Sequence, residues 1–125
     1  MANPYTHSLS SAKIFGGTWE DYIKIHEKMD CQKHYVPDNR GRVLTHTPFW
    51  INEVMIPLFG NVLVNSGGRT AYVRDICLRH IQEDYHMKFI PTPQDFIENM
   101  EWRDWMNNGV RGMPASCKKN GGENE

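Results

Sequence analysis

Histidine and aspartate residues recur four positions apart in two segments of the chain. His26 precedes Asp30 in the segment IHEKMD, and His80 precedes Asp84 in the segment HIQED. On an α-helix, positions four apart lie on the same face, so each pair would present an imidazole beside a carboxylate. Imidazole nitrogens and carboxylate oxygens are common ligands of zinc. The spacing therefore predicts that both pairs contribute to a metal site.

A single histidine in a third segment extends this set. His46 lies in RVLTHTPFW, a segment whose composition favours a helix. Small helical bundles commonly build metal sites from side chains on facing helices. Both His-Asp pairs adjoin apolar residues at helical spacing, and a buried imidazole or carboxylate needs a partner or a cation. We therefore predict a divalent transition metal, with zinc as the expected ion, and these candidate ligands: His26, His46, His80, Asp84 and Asp30.

Asp30 has two possible roles in this prediction. It is either a fifth ligand or a residue that orients one of the imidazoles from behind. Cys77 lies three residues before His80 and would be a nucleophile only with a partner base, which His80 could supply. The ordinary alternative is that free cysteines are among the most buried residues on packing grounds alone.

Arginines near the same segments suggest an enzymatic alternative. Arg42, Arg74 and Arg79 could hold a phosphate beside a metal, or simply pair with neighbouring carboxylates. A metal-bound water would then attack the phosphorus. Under this alternative the chain is a metal-dependent hydrolase of a phosphoester or nucleotide that uses the same His/Asp site.

Two tryptophans suggest a third function that needs no metal. Trp102 and Trp105 lie in EWRDWM and could anchor a protein partner, or could pack at the edge of the core. The His/Asp pairs would then be hydrogen-bonded structural residues. Under this alternative the chain is an interaction module.

Length and composition limit the classes to which the chain can belong. It has 125 residues, 39% of them hydrophobic and 23% charged, with a formal net charge of −1, as expected of a single soluble domain. The small net charge excludes broad electrostatic binding to nucleic acid or to anionic membranes. No apolar run approaches the length of a membrane span.

The cysteines and the first residues bear on the compartment. The three cysteines lie far apart and form no CxxC pair, which predicts free thiols in a reducing environment. The first residues contain neither the charged start nor the apolar run of a signal peptide. We therefore expect a cytoplasmic protein.

Periodicity and capping residues predict the elements that position these side chains. Thr18 is the expected cap of a first helix, and Thr92 with Pro93 begins a fourth. Two β-prone runs flank the turn sequence NSGG, which predicts a β-hairpin. The predicted fold is mainly α: about four helices packed as a small bundle, with one hairpin inserted between the second and third helices. The predicted boundaries are a polar N-terminal arm at 1–17, a single helical domain at 18–106 with the hairpin near 61–72, and a flexible tail at 107–125.

The second helix, expected over about residues 42–55, contains a proline. Pro48 lacks a backbone N–H and is unfavourable inside a helix. Either the helix kinks there, or it begins again with Thr47 as its cap and Pro48 in its first turn.

The order of several motifs resembles that of a known family. The succession SxKxFGG, DYxxIHExxD, RxRxLxH, VRxIxxxHIxEDY and IPTxxDF is similar to a family of short uncharacterised proteins found in bacteria and tailed phages. The resemblance covers most of residues 7–100. It implies a phage or prophage origin, the host cytoplasm as location, and a host or phage protein as the possible partner. The recurrent polar positions of that family correspond to His26, Asp30, Lys33, Arg40, Arg42, His46, Arg74, His80 and Asp84.

A weaker likeness is to metal-dependent phosphohydrolases of the HD type. Those enzymes are helical and gather histidines and aspartates from several helices around one or two ions. Their defining adjacent His-Asp pair does not occur in this sequence. The likeness therefore concerns architecture alone.

Overall fold

The computed structural model describes residues 3–112 of the chain. These residues form a mainly helical structure with one small antiparallel hairpin, which confirms the predicted class. The helices are more numerous and shorter than the predicted four. None of the helices within residues 3–112 has the length and hydropathy needed to cross a bilayer.

The helices and strands follow one another in a simple order. The α-helices are α1 (Pro4–Phe15), α2 (Ile23–Met29), α3 (Arg42–Thr45), α4 (Pro48–Trp50), α5 (Ile56–Phe59), α6 (Val73–Asp84) and α7 (Pro93–Ile97). A π-helical turn at Ile51–Met55 joins α4 directly to α5. Short 3-10 turns occupy Trp19–Asp21, Cys31–His34, Asn39–Gly41 and Asp104–Asn107. The hairpin strands are β1 (Val62–Val64) and β2 (Thr70–Tyr72).

The predicted polar arm at the N-terminus is wrong, because α1 is a helix of 12 residues. Its start is well specified: the Asn3 side chain accepts the N–H of Thr6 at 2.9 Å, and a proline follows the cap. It ends at Gly16, whose φ of 96° suits a residue without a side chain. The helix was missed because the face that it buries is polar. Its buried residues are His7, Ser8 and Ser11.

Three other boundaries differ from the predictions in instructive ways. The first predicted helix begins at Ile23 and not directly after Thr18, and it is interrupted after Met29, where the chain continues as the 3-10 turn Cys31–His34. The second predicted helix breaks before Pro48, so the alternative with a new start at the proline is confirmed. The fourth begins at the predicted cap Thr92, where Asp95 completes a capping box, but it ends at Ile97. Most of the predicted tail lies outside the described residues.

The hairpin fixes the beginning of α6. Its strands pair in the register Val62↔Tyr72, and the Val73 N–H donates to the carbonyl of Asn61 at 3.0 Å. The turn is tied to the start of the chain, because the Asn65 side-chain amide donates to the carbonyl of Phe15 at 3.0 Å. A hairpin of this size is marginal alone and depends on such contacts.

The apolar core lies between α2, α6 and the π-helical turn. Its fully buried members include Ile25 and Met29 of α2, Ile51 of the turn, and Ile76 and Ile81 of α6. Each fully buried aliphatic side chain of this size contributes about 1.5–3 kcal/mol relative to exposure. This core holds α2 and α6 against each other, so the His and Asp residues on the same helices are brought together.

Candidate metal centre

Three separate segments bring four of the five predicted ligands together. Asp30 follows the last residue of α2, His46 follows the last residue of α3, and His80 and Asp84 lie one turn apart near the end of α6. α3 ends before His46 because a residue that precedes proline avoids helical geometry, and Thr47 is accordingly extended. The break places the His46 side chain at the junction of the three segments.

The four side chains present their ligand atoms to one another in a closed ring. The His80 Nε2 lies 3.1 Å from Asp30 Oδ1 and 3.6 Å from Asp84 Oδ2. The His46 Nε2 lies 2.8 Å from Asp84 Oδ2 and 3.7 Å from Asp30 Oδ1. Ligands at about 2.0–2.1 Å around a tetrahedral zinc ion are separated from one another by about 3.3–3.4 Å. Two of the four distances in the ring are shorter than this separation and two are longer, so the ring has the size that a zinc ion requires.

The site is removed from water. The His46 and His80 side chains are 0% exposed, and the Asp30 and Asp84 side chains are 6% and 4% exposed. The second oxygen of Asp30, Oδ2, is buried and has no hydrogen-bond partner, and the Lys33 Nζ lies 3.8 Å from it. A buried carboxylate oxygen without a partner is costly unless a cation is close.

The charges at the site match what a metal requires. Burial acts to raise the pKa of Asp84, but hydrogen bonds with His46 and His7 hold that pKa well below its usual range. Burial also acts to raise the pKa of Asp30, and its bond with His80 outweighs this and lowers it. Burial lowers the pKa of His80 to about 4. At neutral pH the site therefore contains two carboxylates and a neutral His80 imidazole, the forms in which these groups bind metal.

His26, the fifth predicted ligand, lies behind His80. Its Nδ1 is 2.8 Å from His80 Nδ1, and its Nε2 is 2.8 Å from the hydroxyl oxygen of Ser11 on α1. Burial lowers the pKa of His26 to about 2, so this imidazole is neutral. The structure thus exchanges the two expected roles: Asp30 lies in the ring, and His26 contacts a member of the ring from outside.

His46 is also held from behind. Its Nδ1 lies 2.8 Å from the Thr45 hydroxyl oxygen, which lies 2.8 Å from the side-chain amide of Gln32. With its amide nitrogen turned toward Thr45, Gln32 donates to the Thr45 hydroxyl and, at 3.0 Å, to the carbonyl of Met29. Both ring histidines therefore have a defined contact on the nitrogen that faces away from the ring.

His7 was not predicted to take part, and it closes the cluster from α1. Its Nδ1 lies 2.8 Å from Glu83 Oε1 and its Nε2 lies 3.2 Å from Asp84 Oδ1. Both ring nitrogens face carboxylate oxygens, so both must carry a proton to donate. Burial acts to lower the pKa of His7, but these carboxylates raise it to about 9. His7 is therefore an imidazolium ion that stacks on His80 with ring centroids 3.8 Å apart.

A signal for His7 was present in the sequence. The cap Asn3 followed by Pro4 marks a helix start, and a helix there places His7 and Ser11 four residues apart on one face. A second group of potential ligands, His7, His26 and His80, also lies close together. It is a poor metal site because an imidazolium has no lone pair to donate.

The three arginines that were predicted to bind an anion have different surroundings. Arg42 is nearly buried, with a guanidinium nitrogen 3.9 Å from Asp84 Oδ1 and its guanidinium carbon 5.2 Å from the centroid of the Tyr85 ring. Arg79 donates to Glu83 at 3.0 Å, and Arg74 is exposed on α6. Binding of phosphate by these residues stays a prediction.

The other predicted functional residues are two tryptophans and Cys77. Trp105 is 74% exposed, whereas Trp102 is half-buried and donates its indole N–H to the carbonyl of Gly112 at 3.0 Å. Their use as a partner surface stays a prediction.

Cys77 is fully buried, and burial raises the pKa of its thiol to about 12, so it is a core residue and not a nucleophile.

Comparison with known proteins places the chain in a family. Residues 2–106 match a family described as a domain of unknown function, DUF6915, and the chain belongs to that family. The resemblance to an uncharacterised family is thereby confirmed. No curated protein and no solved structure matches the chain. The function therefore has to be argued from the site.

Proposed function

We propose that the protein binds one divalent transition metal ion, with zinc as the expected ion, through Asp30, His46, His80 and Asp84. The observation that carries the proposal is the ring of four ligand atoms, which lie within 4.8 Å of one another and come from three segments of the chain. Two nitrogens and two carboxylate oxygens are a common donor set for zinc.

The burial of two carboxylates at one point supports a cation between them. Two ionised carboxylates near one another disfavour each other's charge, and burial increases that cost. His7 and Arg42 both approach Asp84 Oδ1 and leave Asp84 Oδ2 to face the ring. On Asp30 the ring oxygen is Oδ1, while Oδ2 has no hydrogen-bond partner. A metal ion in the ring would offset the negative charge of the two carboxylate oxygens that face it.

Four protein ligands in a closed, buried arrangement are typical of a structural metal site, whereas catalytic zinc sites keep a position open for water. The proposed role is therefore that of a small metal-binding accessory protein. In this role the bound ion would connect the ends of α2 and α3 to α6. The resemblance to phage proteins makes a phage or prophage its expected setting.

Metal analysis of the purified protein tests this proposal. The chain is stripped with chelator, reconstituted with zinc, manganese or cobalt, desalted and measured by elemental analysis. We expect about one equivalent for the wild type and loss of the ion from D84N and H46Q, with the exposed H34Q variant as the matched control. Less than about 0.2 equivalents in the wild type would overturn the proposal, since structural sites bind tightly at neutral pH.

A second candidate function is hydrolysis of a phosphoester or nucleotide. One observation favours it: a cleft of about 710 Å³ lies beside Tyr85, the residue on whose ring Arg42 packs. Tyr85 lines this cleft and directly follows Asp84 in the chain. Turnover of nucleotide or phosphodiester substrates with added zinc, manganese or magnesium, absent in H80A and reduced in R42M, would support it. No turnover above the H80A background would count against it.

The metal-free alternative makes the opposite prediction. If the chain is an interaction module for a host or phage protein, the exposed Trp105 carries binding and the His/Asp cluster only supports the fold. The H26A and H80A variants would then retain partner capture, whereas W105A would lose it. A wild-type protein without bound metal would make this alternative the leading function.

A further inference from the structure

A line of hydrogen-bonding groups leads away from the proposed metal site through three helices. It runs from His80 on α6 to His26 on α2, with 2.8 Å between their Nδ1 atoms, and from His26 Nε2 to the Ser11 hydroxyl on α1, again 2.8 Å. All three residues are at most 1% exposed. We define this line as the Ser11–His26–His80 relay.

The hydrogen bonds of the relay can form in either of two directions. Each contact needs a hydrogen on one side and a lone pair on the other, and each neutral imidazole carries one N–H. In the first direction Ser11 donates to His26 Nε2, the His26 Nδ1–H donates to His80 Nδ1, and the His80 Nε2–H donates to Asp30 Oδ1, 3.1 Å away.

In the second direction every donor and acceptor is exchanged. The His80 Nδ1–H donates to His26 Nδ1, and the His26 Nε2–H donates to the Ser11 oxygen. The His80 Nε2 then has a lone pair that faces Asp30 Oδ1 and Asp84 Oδ2. A lone pair directed at two carboxylates is unfavourable without a cation, but it is the form required of a metal ligand.

We infer that His26 and Ser11 are positioning residues that set the tautomer of His80, and that the relay reverses when the metal site is filled. The inference rests on the proposed function. The proton balance is simple: His80 loses the proton on Nε2 and carries one on Nδ1 instead, and His26 loses the proton on Nδ1 and carries one on Nε2 instead. Ser11 keeps its hydroxyl hydrogen, which turns away from His26, so each imidazole carries one proton in both states.

The use of an imidazole behind His80 has a physical reason. Metal-binding histidines usually donate their second N–H to a carboxylate or a backbone carbonyl. Such partners only accept, so they would fix His80 in the metal-binding tautomer and leave its Nε2 lone pair facing Asp30 whenever the site is empty. His26 can accept or donate. The buried site is therefore hydrogen-bonded both with and without the ion, and α1, which supplies no ligand, becomes coupled to metal occupancy through Ser11.

The tautomer of His80 is the direct test. Imidazole nitrogen chemical shifts of ¹⁵N-histidine-labelled protein distinguish a protonated Nε2 from a protonated Nδ1. We expect Nε2–H on His80 in chelator-treated wild type and Nδ1–H after one equivalent of zinc, with the opposite exchange on His26. The same His80 tautomer in both states would overturn the inference, and this measurement needs no variant that might fail to fold.

Affinity measurements supply the second test. In zinc competition with a chromophoric chelator, H26F should bind about 10–100-fold more weakly than wild type, as for losses of other groups behind metal ligands. H26Q, which can accept and donate, should recover part of the loss, and S11A should lie between. S8A is the matched control, because Ser8 is an equally buried hydroxyl of α1 that donates only to the carbonyl of Pro4.

The outcomes separate the two proposals. If the wild type binds no zinc, the proposed function fails. If the wild type binds zinc, H26F folds by circular dichroism and its affinity equals that of the wild type, only the relay fails. If S8A weakens binding as much as S11A, the effect is one of α1 packing and the assignment of Ser11 is wrong.

Discussion

α6 is buried against two chemically opposite groups of residues, which we name its apolar side and its polar side. Ile76 and Ile81, both 0% exposed, pack in the apolar core, while His80, one turn after Ile76 and also 0% exposed, lies among carboxylates and imidazoles. The apolar side is stabilised by removal from water, a contribution that scales with area and tolerates small changes. The polar side is stabilised only when every buried donor, acceptor and charge has a partner.

This difference explains why the polar side includes so many connected groups. Asp84 alone contacts His7 on α1 and both Arg42 and His46, which begin and follow α3. Loss of one member leaves others buried without a partner, so the cost of a change is shared through the cluster. The comparison predicts large effects of polar substitutions, a metal-dependent effect on the same side, and small effects of conservative apolar ones.

The largest expected effect is that of removing His7. H7A deletes the buried imidazolium that faces Glu83 and Asp84, and the arginines near these carboxylates, Arg79 and Arg42, do not replace its two short contacts. Breaking a buried ion pair in this way costs about 3–5 kcal/mol of folding stability. Urea denaturation in the presence of chelator measures the loss. The exposed H34A variant should change stability by less than about 0.5 kcal/mol, and an H7A loss as small as that would show that the polar side does not depend on its charges.

The contribution of His7 should also depend on pH. Its pKa is raised from 6.5 to about 9 in the folded protein, so its protonated form is favoured by folding. The stability that it contributes is fully present below pH 6.5 and is lost as the pH rises through about 9. In chelator-treated protein, the difference in unfolding free energy between wild type and H7A should therefore shrink over that range. A difference that grows with pH would contradict an imidazolium at this position.

Zinc should stabilise the polar side by a similar or slightly smaller amount. A ligand that binds only the folded state adds about 2.7 kcal/mol when its free concentration is 100 times its Kd. We expect the Tm of the wild type to rise with added zinc and to return after chelation, and the Tm of D84N to be unaffected by zinc. Equal shifts in wild type and D84N would place zinc binding elsewhere in the chain.

The sequence predicted the elements whose signals are local. The cap at Thr92, the turn before Arg69 and the apolar residues beside His80 on α6 depend on residues a few positions apart, and the structure has these features. Thr18, in contrast, caps the 3-10 turn Trp19–Asp21 and not a helix. The convergence of His46 with α6 was predicted only as an expectation about bundles. The role of His7 was missed because its partners, Glu83 and Asp84, lie more than 70 residues away. Such contacts are set by tertiary packing, which no local pattern contains.

The role of His26 shows the same limit on the polar side. Spacing alone places His26 and Asp30 on one face and cannot tell which of them reaches the ring. The outcome depends on where α2 ends, and Asp30 adopts a φ of −106° and ψ of 9° just outside it. The apolar side carried no comparable ambiguity, since any large aliphatic residue at a buried position packs there.

The smallest expected effect is that of a conservative change on the apolar side. I81V removes one methyl group next to the residue that binds in the proposed site, and such a change costs about 0.5–1.5 kcal/mol. Because Ile81 contributes no polar contact, its loss should be the same with and without zinc, and the zinc affinity should equal that of the wild type. Urea denaturation of I81V with chelator and with zinc, beside the chelator competition assay, measures both quantities. A zinc affinity that falls with this methyl group would show that packing, and not the partners of His80, determines the geometry of the ring, and the contrast between the two sides of α6 would then not hold.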